Sequence, residues 1–259
     1  MPSRAQAVLD VSGEVLATAP RLEVRVSITN RGDQPASSVE VEGELLEQRR
    51  SARLAASLGP GRSGAVVLDF DASAAPPGVH ALTLRLEHPL PGTPDAAGNP
   101  PLSSQLAWLL VALRASPAPA VRVFAHQARI DVRGLLEVAV ESADGAPHRV
   151  RLRALSARGL RLETGPLDLA VPATAAALTR LSVVRAGAPR GTRQAVLLVA
   201  ESREGPPLRT TVVAASVDVA PDGSLLPRLR TPLLVLALLM LLVVIGVEIW
   251  RMRSPHPHA

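Results

Sequence analysis

LEVRVSITN, residues 22–30, puts Leu22, Val24, Val26 and Ile28 on one face of an extended chain and Glu23, Arg25, Ser27 and Thr29 on the other. A period of two over nine residues is the pattern of a strand with one face in a core and one in water. The alternation recurs in SVEVEGELL (38–46), AVVLDF (65–70) and HALTLRLEH (80–88), separated by the turn-forming runs NRGDQP, LGPGRSG and APPG. In such runs Gly supplies positive φ and Pro fixes φ for a turn. No segment before Thr231 sustains a helical period. Residues 1–114 are therefore expected to form an antiparallel β-sandwich of about seven strands. Its last strand, QLAWLLVALR (105–114), is apolar on both faces, so its second face needs a cover from a loop or from the next domain.

ASPAPA, residues 115–120, reads as a short stiff linker, and beyond it the strand pattern restarts. LEV at 22–24 returns at 136–138, Val39 and Val41 return as Val150 and Leu152, and APPG ending at Gly78 returns as APRG ending at Gly191. Three matches in one order, about 111 to 114 positions apart, point to a tandem duplication. The second copy, residues 121–220, contains the strand candidates LLEVAVE, RVRLRAL, LTRLSVV, RQAVLLVAE and RTTVVAASVDV.

After a juxtamembrane segment, residues 221–231, the chain turns apolar, and Thr231 to Val247 carry no charge. As a helix rising about 1.5 Å per residue, the twenty residues from Thr231 to Trp250 would span a bilayer core of about 30 Å. A transmembrane helix is expected over residues 232–250, with Thr231 as cap and Pro232 in the first turn. Arg230 lies at one end and Trp250, Arg251 and Arg253 at the other, the amphipathic residues that suit a membrane interface. Glu248 is read as a boundary residue paired with Arg251, and residues 251–259 as a short basic tail.

The motif V-x-V-x-I-T-N-x-G-D-x-P-A lies at 24–36, L-x-P-G-x-S-x-x-V-x-L at 58–68 and P-P-G-x-H-x-L-x-L at 76–84. Together they resemble the bacterial and archaeal immunoglobulin-like modules of the CARDB and NEW3 type. The resemblance covers the first domain well and the second loosely, where ESADGAPHRV replaces the Asn-Gly-Asp turn. It implies two tandem immunoglobulin-like sandwiches and brings no catalytic residues, because such modules serve as spacers, adhesion units and additions to enzymes.

Composition excludes several classes. All 28 basic residues are Arg, interleaved with 23 acidic ones, for a net charge of +5. With Tyr absent and only two Trp and two Phe, there is no stacking platform for bases, so nucleic acid is not an expected partner. Zero cysteines remove disulfides, thiolate metal sites and thiol nucleophiles together. His80, His88, His126, His148, His256 and His258 show no metal-ligand spacing and are expected in loops or at the surface. No nucleophile elbow, phosphate loop or zinc-protease motif occurs, so no catalytic, cofactor-binding or metal residue is expected. Arg31, Gly32 and Asp33 spell a tripeptide used by adhesion ligands, but turn chemistry alone accounts for it.

One charge pattern stands out. Glu40, Glu42 and Glu44 face outward on the third strand of the first domain, and Arg149, Arg151 and Arg153 on the corresponding strand of the second. These stripes are either solvated faces that guard strands against edge pairing or docking surfaces on which the acidic stripe of one partner meets the basic stripe of another.

The expected function is a non-enzymatic, membrane-anchored interaction or spacer module. It would touch the bilayer through its C-terminal helix and present two domains to a protein partner in the cell envelope. The alternatives are an accessory subunit of a membrane complex and a glycan-binding adhesin. The adhesin is disfavoured because Phe70, Trp108 and Phe124 all occupy apolar strand positions. MPSRAQAVLD has no apolar h-region, which leaves two topologies: an upstream start with a signal peptide and extracytoplasmic domains, or a tail-anchored protein facing the cytoplasm. Flanking arginines balance across the apolar run, and the module resemblance favours the extracytoplasmic arrangement.

Overall fold

The computed structural model describes residues 7–17, 20–91, 98 and 100–221, and every strand lies in one unit that ends at Val219. In the first half, β1 (Leu9–Ala17), β2 (Arg21–Asn30) and β5 (Ser63–Asp71) form one antiparallel sheet. Opposite it, β3 (Glu40–Leu45), β4 (Gln48–Arg53), β6 (Gly78–Pro89) and β7 (Leu102–Leu113) form a second sheet in the order β4-β3-β6-β7. Two facing antiparallel sheets with this strand order make an immunoglobulin-like sandwich whose fourth strand has joined the second sheet. The inward residues of β2, Leu22, Val24, Val26 and Ile28, are fully buried and meet Phe70, Leu84 and Leu86 in one core.

Asn30, which ends β2, is buried and spends its side chain on turns. Its Nδ2 donates to the carbonyls of Gln34 (2.7 Å) and Leu58 (2.9 Å), and its Oδ1 accepts from Gly32 N (3.0 Å). That network shapes the Arg31–Gly32–Asp33 turn without any ligand.

The second half repeats the plan. β8 (Val121–Ala125), β10 (Arg133–Ser142), β12 (Leu160–Leu162) and β14 (Ala177–Arg185) form one sheet in the order β12-β14-β10-β8. β9 (Ala128–Ile130), β11 (His148–Ser156), β13 (Leu167–Val171), β15 (Arg193–Ser202) and β16 (Thr210–Val219) form the other, in the order β13-β11-β15-β16-β9. A separate core gathers Leu136, Val138, Val150, Leu152 and Val196. The LEV segments matched in sequence fall on strands in like positions, since Leu22 and Val24 of β2, which pairs with β1, and Leu136 and Val138 of β10, which pairs with β8, are all buried.

β6 and β7 pair as far as Pro89 and Leu102, so the Pro/Gly-rich connection between them is confined to residues 90–101. The expected transmembrane helix at 232–250, with Arg230, Trp250, Arg251 and Arg253 around it, lies outside the described residues. Among those described, no helix is long and apolar enough to cross a membrane.

Candidate functional site

β15 reads QAVLLVA between its charged ends, and Val196 to Ala200 are buried on both faces. Val196, Leu198 and Ala200 point into the second core, whereas Leu197 and Val199, 1% and 0% exposed, lie on the outer face and belong to neither sandwich core. Val79 and Ala81 on the outer face of β6 are likewise buried outside both cores. These residues form a seam in which the outer face of β3-β6-β7 packs on the outer face of β11-β15-β16. The cover expected for the last strand of the first sandwich is partial: β15 packs on β7 and β16 on β6, while Trp108 and Leu110 of β7 stay 37% and 52% exposed.

Polar contacts frame the seam. Arg153 donates to Glu44 across it (3.2 Å) and to Glu201 on the neighbouring strand (3.1 Å). Arg158 reaches Glu87 at 3.0 Å, and Arg85 donates to the Ser156 carbonyl at 3.4 Å. Backbone joins the halves as well. Val79 N donates to Leu208 O (2.8 Å), Leu208 N to Pro77 O (2.8 Å), and Thr210 Oγ1 to Val79 O (2.6 Å). Burying Leu197 and Val199 contributes about 1.5–3 kcal/mol each, whereas a partly exposed ion pair contributes about 0–1 kcal/mol. The apolar strip therefore holds the seam, and the charges set its register. Arg85 Nε and Arg153 Nε are buried there without a partner, an unfavourable term the strip must offset.

The structure places the charged stripes on these two facing sheets. The acidic stripe is neutralised within the chain: Glu40 pairs with Arg53 (3.9 Å), Glu42 with Arg85 (3.5 Å), and Glu44 with Arg49 (3.1 Å) and Arg153 (3.2 Å). Of the basic stripe only Arg153 is engaged. Arg149 and Arg151, joined by Arg203 from the start of the β15–β16 loop, form no ion pair among the described residues. They line two adjoining hollows. One, about 330 Å³, opens at the seam between Leu46, Arg151, Arg153, Arg203 and Leu208. The other, about 630 Å³, lies over β11 and β13 between Arg149, Arg151, Asp168 and Arg203. Leu46 and Glu47 form the β3–β4 turn at the mouth of the first, both with positive φ (54° and 60°), a conformation that strains side chains other than Gly, Asn or Asp.

A second polar cluster holds the β15–β16 loop. His148 Nε2 lies 2.7 Å from Asp144 Oδ1 and its Nδ1 2.8 Å from Glu204 Oε2. Both nitrogens face carboxylates, an arrangement that favours a proton on each and hence the imidazolium form. Burial opposes that charge, but the bonds to Glu204 and Asp144 outweigh it and raise the His148 pKa. The His148 bond, helped by the Ala146 backbone N–H, holds Asp144 well below the usual carboxylate range. Arg209 adds a 3.1 Å bond to Asp144, and Arg149 N donates to Glu204 (3.1 Å). This clip fixes the loop whose Leu208 docks on the first sandwich, and it holds Arg149 beside Arg203.

Two expectations change. His80, His88 and His148 are buried strand residues rather than surface ones, because their rings bond locally: His80 to Pro76 O, His88 to Pro89 O, and His148 to its acids. Among the described histidines only His126 is exposed. Phe70 is buried as expected, but Phe124 is 48% exposed. It forms an apolar row with Ala139 and the 79% exposed Leu178 on the outer face of the β12-β14-β10-β8 sheet. Among the described residues no group of three or more His, Asp or Glu side chains is arranged to hold a metal ion.

No family model and no curated protein matches the chain. Among solved structures, a Salmonella alpha-2-macroglobulin mutant aligns at 13% identity over 82% of this chain and 16% of its own length, with a TM-score of 0.33. A protein of unknown function from Porphyromonas gingivalis aligns at 14% identity over 82% of this chain and 99% of its own, with a TM-score of 0.29. The chicken CNTN1 FN1-FN3 domains align at 13% identity over 80% and 63%, with a TM-score of 0.22. The chain thus spans 16% of the length of that macroglobulin. Superpositions this loose carry no argument, and the fold rests on the chain's own strand order.

Proposed function

We propose that this chain is a membrane-tethered, non-enzymatic interaction module of CARDB or NEW3 type, whose two immunoglobulin-like sandwiches present one composite surface to a protein partner at the membrane. The seam is the observation that carries this reading. A spacer of independent beads has no need to bury Leu197 and Val199 between domains or to thread Leu208 onto Gly78. The clustered polar groups support a binding role: both His148 nitrogens lie against carboxylates, and the groove gathers Arg149, Arg151 and Arg203 on one face. The tether rests on the uncharged run from Thr231 to Val247, and the module resemblance favours extracytoplasmic domains.

Carbonate extraction of membranes, followed by protease added to intact spheroplasts, tests both. The chain should stay in the membrane pellet and lose its domains to the external protease. Release by carbonate would remove the tether, and full protection would turn the domains to the cytoplasm.

A second reading, a glycan-binding surface, draws on the exposed faces of Phe124 and Trp108, since sugar rings stack on aromatic faces. Saturable binding on a glycan array that Phe124→Ala abolishes would favour it.

A further inference from the structure

We propose that the groove of Arg149, Arg151 and Arg203 is the partner-binding site, and that it takes an extended acidic segment of a protein with carboxylates at every second residue. This deepens, and rests on, the interaction-module reading.

Arg149 and Arg151 are alternate residues of β11 and project from the same face, so their Cα atoms stand about 6.5–7 Å apart along the strand. An extended peptide has the same repeat, so two of its carboxylates match two guanidiniums in register, each able to make a bidentate pair. Arg203 closes the third side. Its backbone N donates to Arg149 O at 2.8 Å, and the His148–Glu204 clip immobilises both neighbours, so the three charges are held together before any ligand arrives.

The acids nearby leave a positive remainder. Over β11 and β13, Arg149, Arg151 and Arg203 face one carboxylate, Asp168, whereas in the adjoining hollow Glu47, Asp71 and Glu201 balance Arg151, Arg153 and Arg203, so the excess of positive charge lies over β11 and β13. β13 borders the groove and pairs only with β11 among the described residues, leaving its other edge for an incoming backbone. Leu46, Leu208, Leu169 and Ala170 supply apolar wall for the intervening side chains, and no Phe, Tyr or Trp lines either hollow to stack a base.

The test uses the full chain in non-ionic detergent and a fluorescent nonapeptide of alternating Glu and Thr, read by anisotropy at two salt concentrations. Wild-type protein should bind it, lose affinity as salt rises, and ignore the same peptide with Gln for Glu. An R151Q/R203Q double variant should bind at least tenfold more weakly with an unchanged melting temperature. Equal binding of the Gln peptide, or undiminished binding by the variant, overturns the proposal. So does displacement by inorganic phosphate or by single-stranded DNA at equal charge concentration, which would make the groove a general anion site. If the double variant still fractionates with membranes and still co-purifies with the wild-type partner, the groove assignment falls while the module reading stands. If wild type has no membrane association and no partner, the module reading itself falls.

Discussion

Arg153 of the second sandwich lies 3.2 Å from Glu44 of the first, with both side chains about three-quarters buried. The stripes of opposite sign that the sequence displays are thus in contact at one point within a single chain. Reversal by Glu44→Arg places a third guanidinium between Arg49 and Arg153 and should lower stability by about 1–3 kcal/mol in urea unfolding. Adding Arg153→Glu should recover part of that loss, with a coupling of about 1 kcal/mol. Additive effects of the two changes would mean that the pair does not meet in solution.

Gly78 has φ 141° and sits against the Leu208 backbone, so a Cβ there would both strain the chain and overlap the bridge between the sandwiches. Gly78→Val should therefore separate the halves while leaving each core intact. Calorimetry should show one transition in wild type and two in the variant. A variant that still melts in a single unshifted transition would show that the bridge adds nothing.

The His148 clip makes stability depend on pH in a defined sense. Its folded pKa is raised, so its contribution is complete below the ordinary value of 6.5 and is lost as pH climbs through the folded value. Asp144 is depressed, so its contribution is present above 3.8 and fades as pH falls through its folded value. The clip is at full strength between those two ordinary values. Urea midpoints measured from pH 5 to 8.5 should fall on the alkaline side in wild type, and His148→Gln should flatten that decline. Parallel curves for the two proteins would remove His148 from the account.

β2, β3, β5 and β10 are legible because one face meets a core and the other is largely open to water, and β6 and β11 are legible from the same alternation although the seam covers part of their outer faces. β4, QRRSAR, is not. It is an edge strand with no apolar face, held by arginines opposite the glutamates of β3, such as Glu44 facing Arg49. β9, β12 and β13 are too short to show a period. The doubly apolar run in β15 is present in the sequence, but its partner across the seam, β7, is eighty or more residues away, and no local pattern specifies it. Separation along the chain hides the groove as well. Arg149 and Arg151 are visible as a stripe, whereas Arg203 looks like an ordinary loop charge until the β15–β16 loop folds back on β11. His148 looks like a surface residue until Asp144 and Glu204, from two different turns, close on it.

The two sandwiches act as one docked body, and the absence of cysteine makes the docking directly measurable. Spin labels at Ser12→Cys on β1 and Leu178→Cys on β14, both exposed strand positions, report the distance between the halves by pulsed dipolar spectroscopy on the full chain in detergent. Docked sandwiches give one narrow distance peak, which broadens when Gly78→Val is added. A broad distribution in the background without Gly78→Val would contradict the seam, and with it the composite surface on which the proposed function depends.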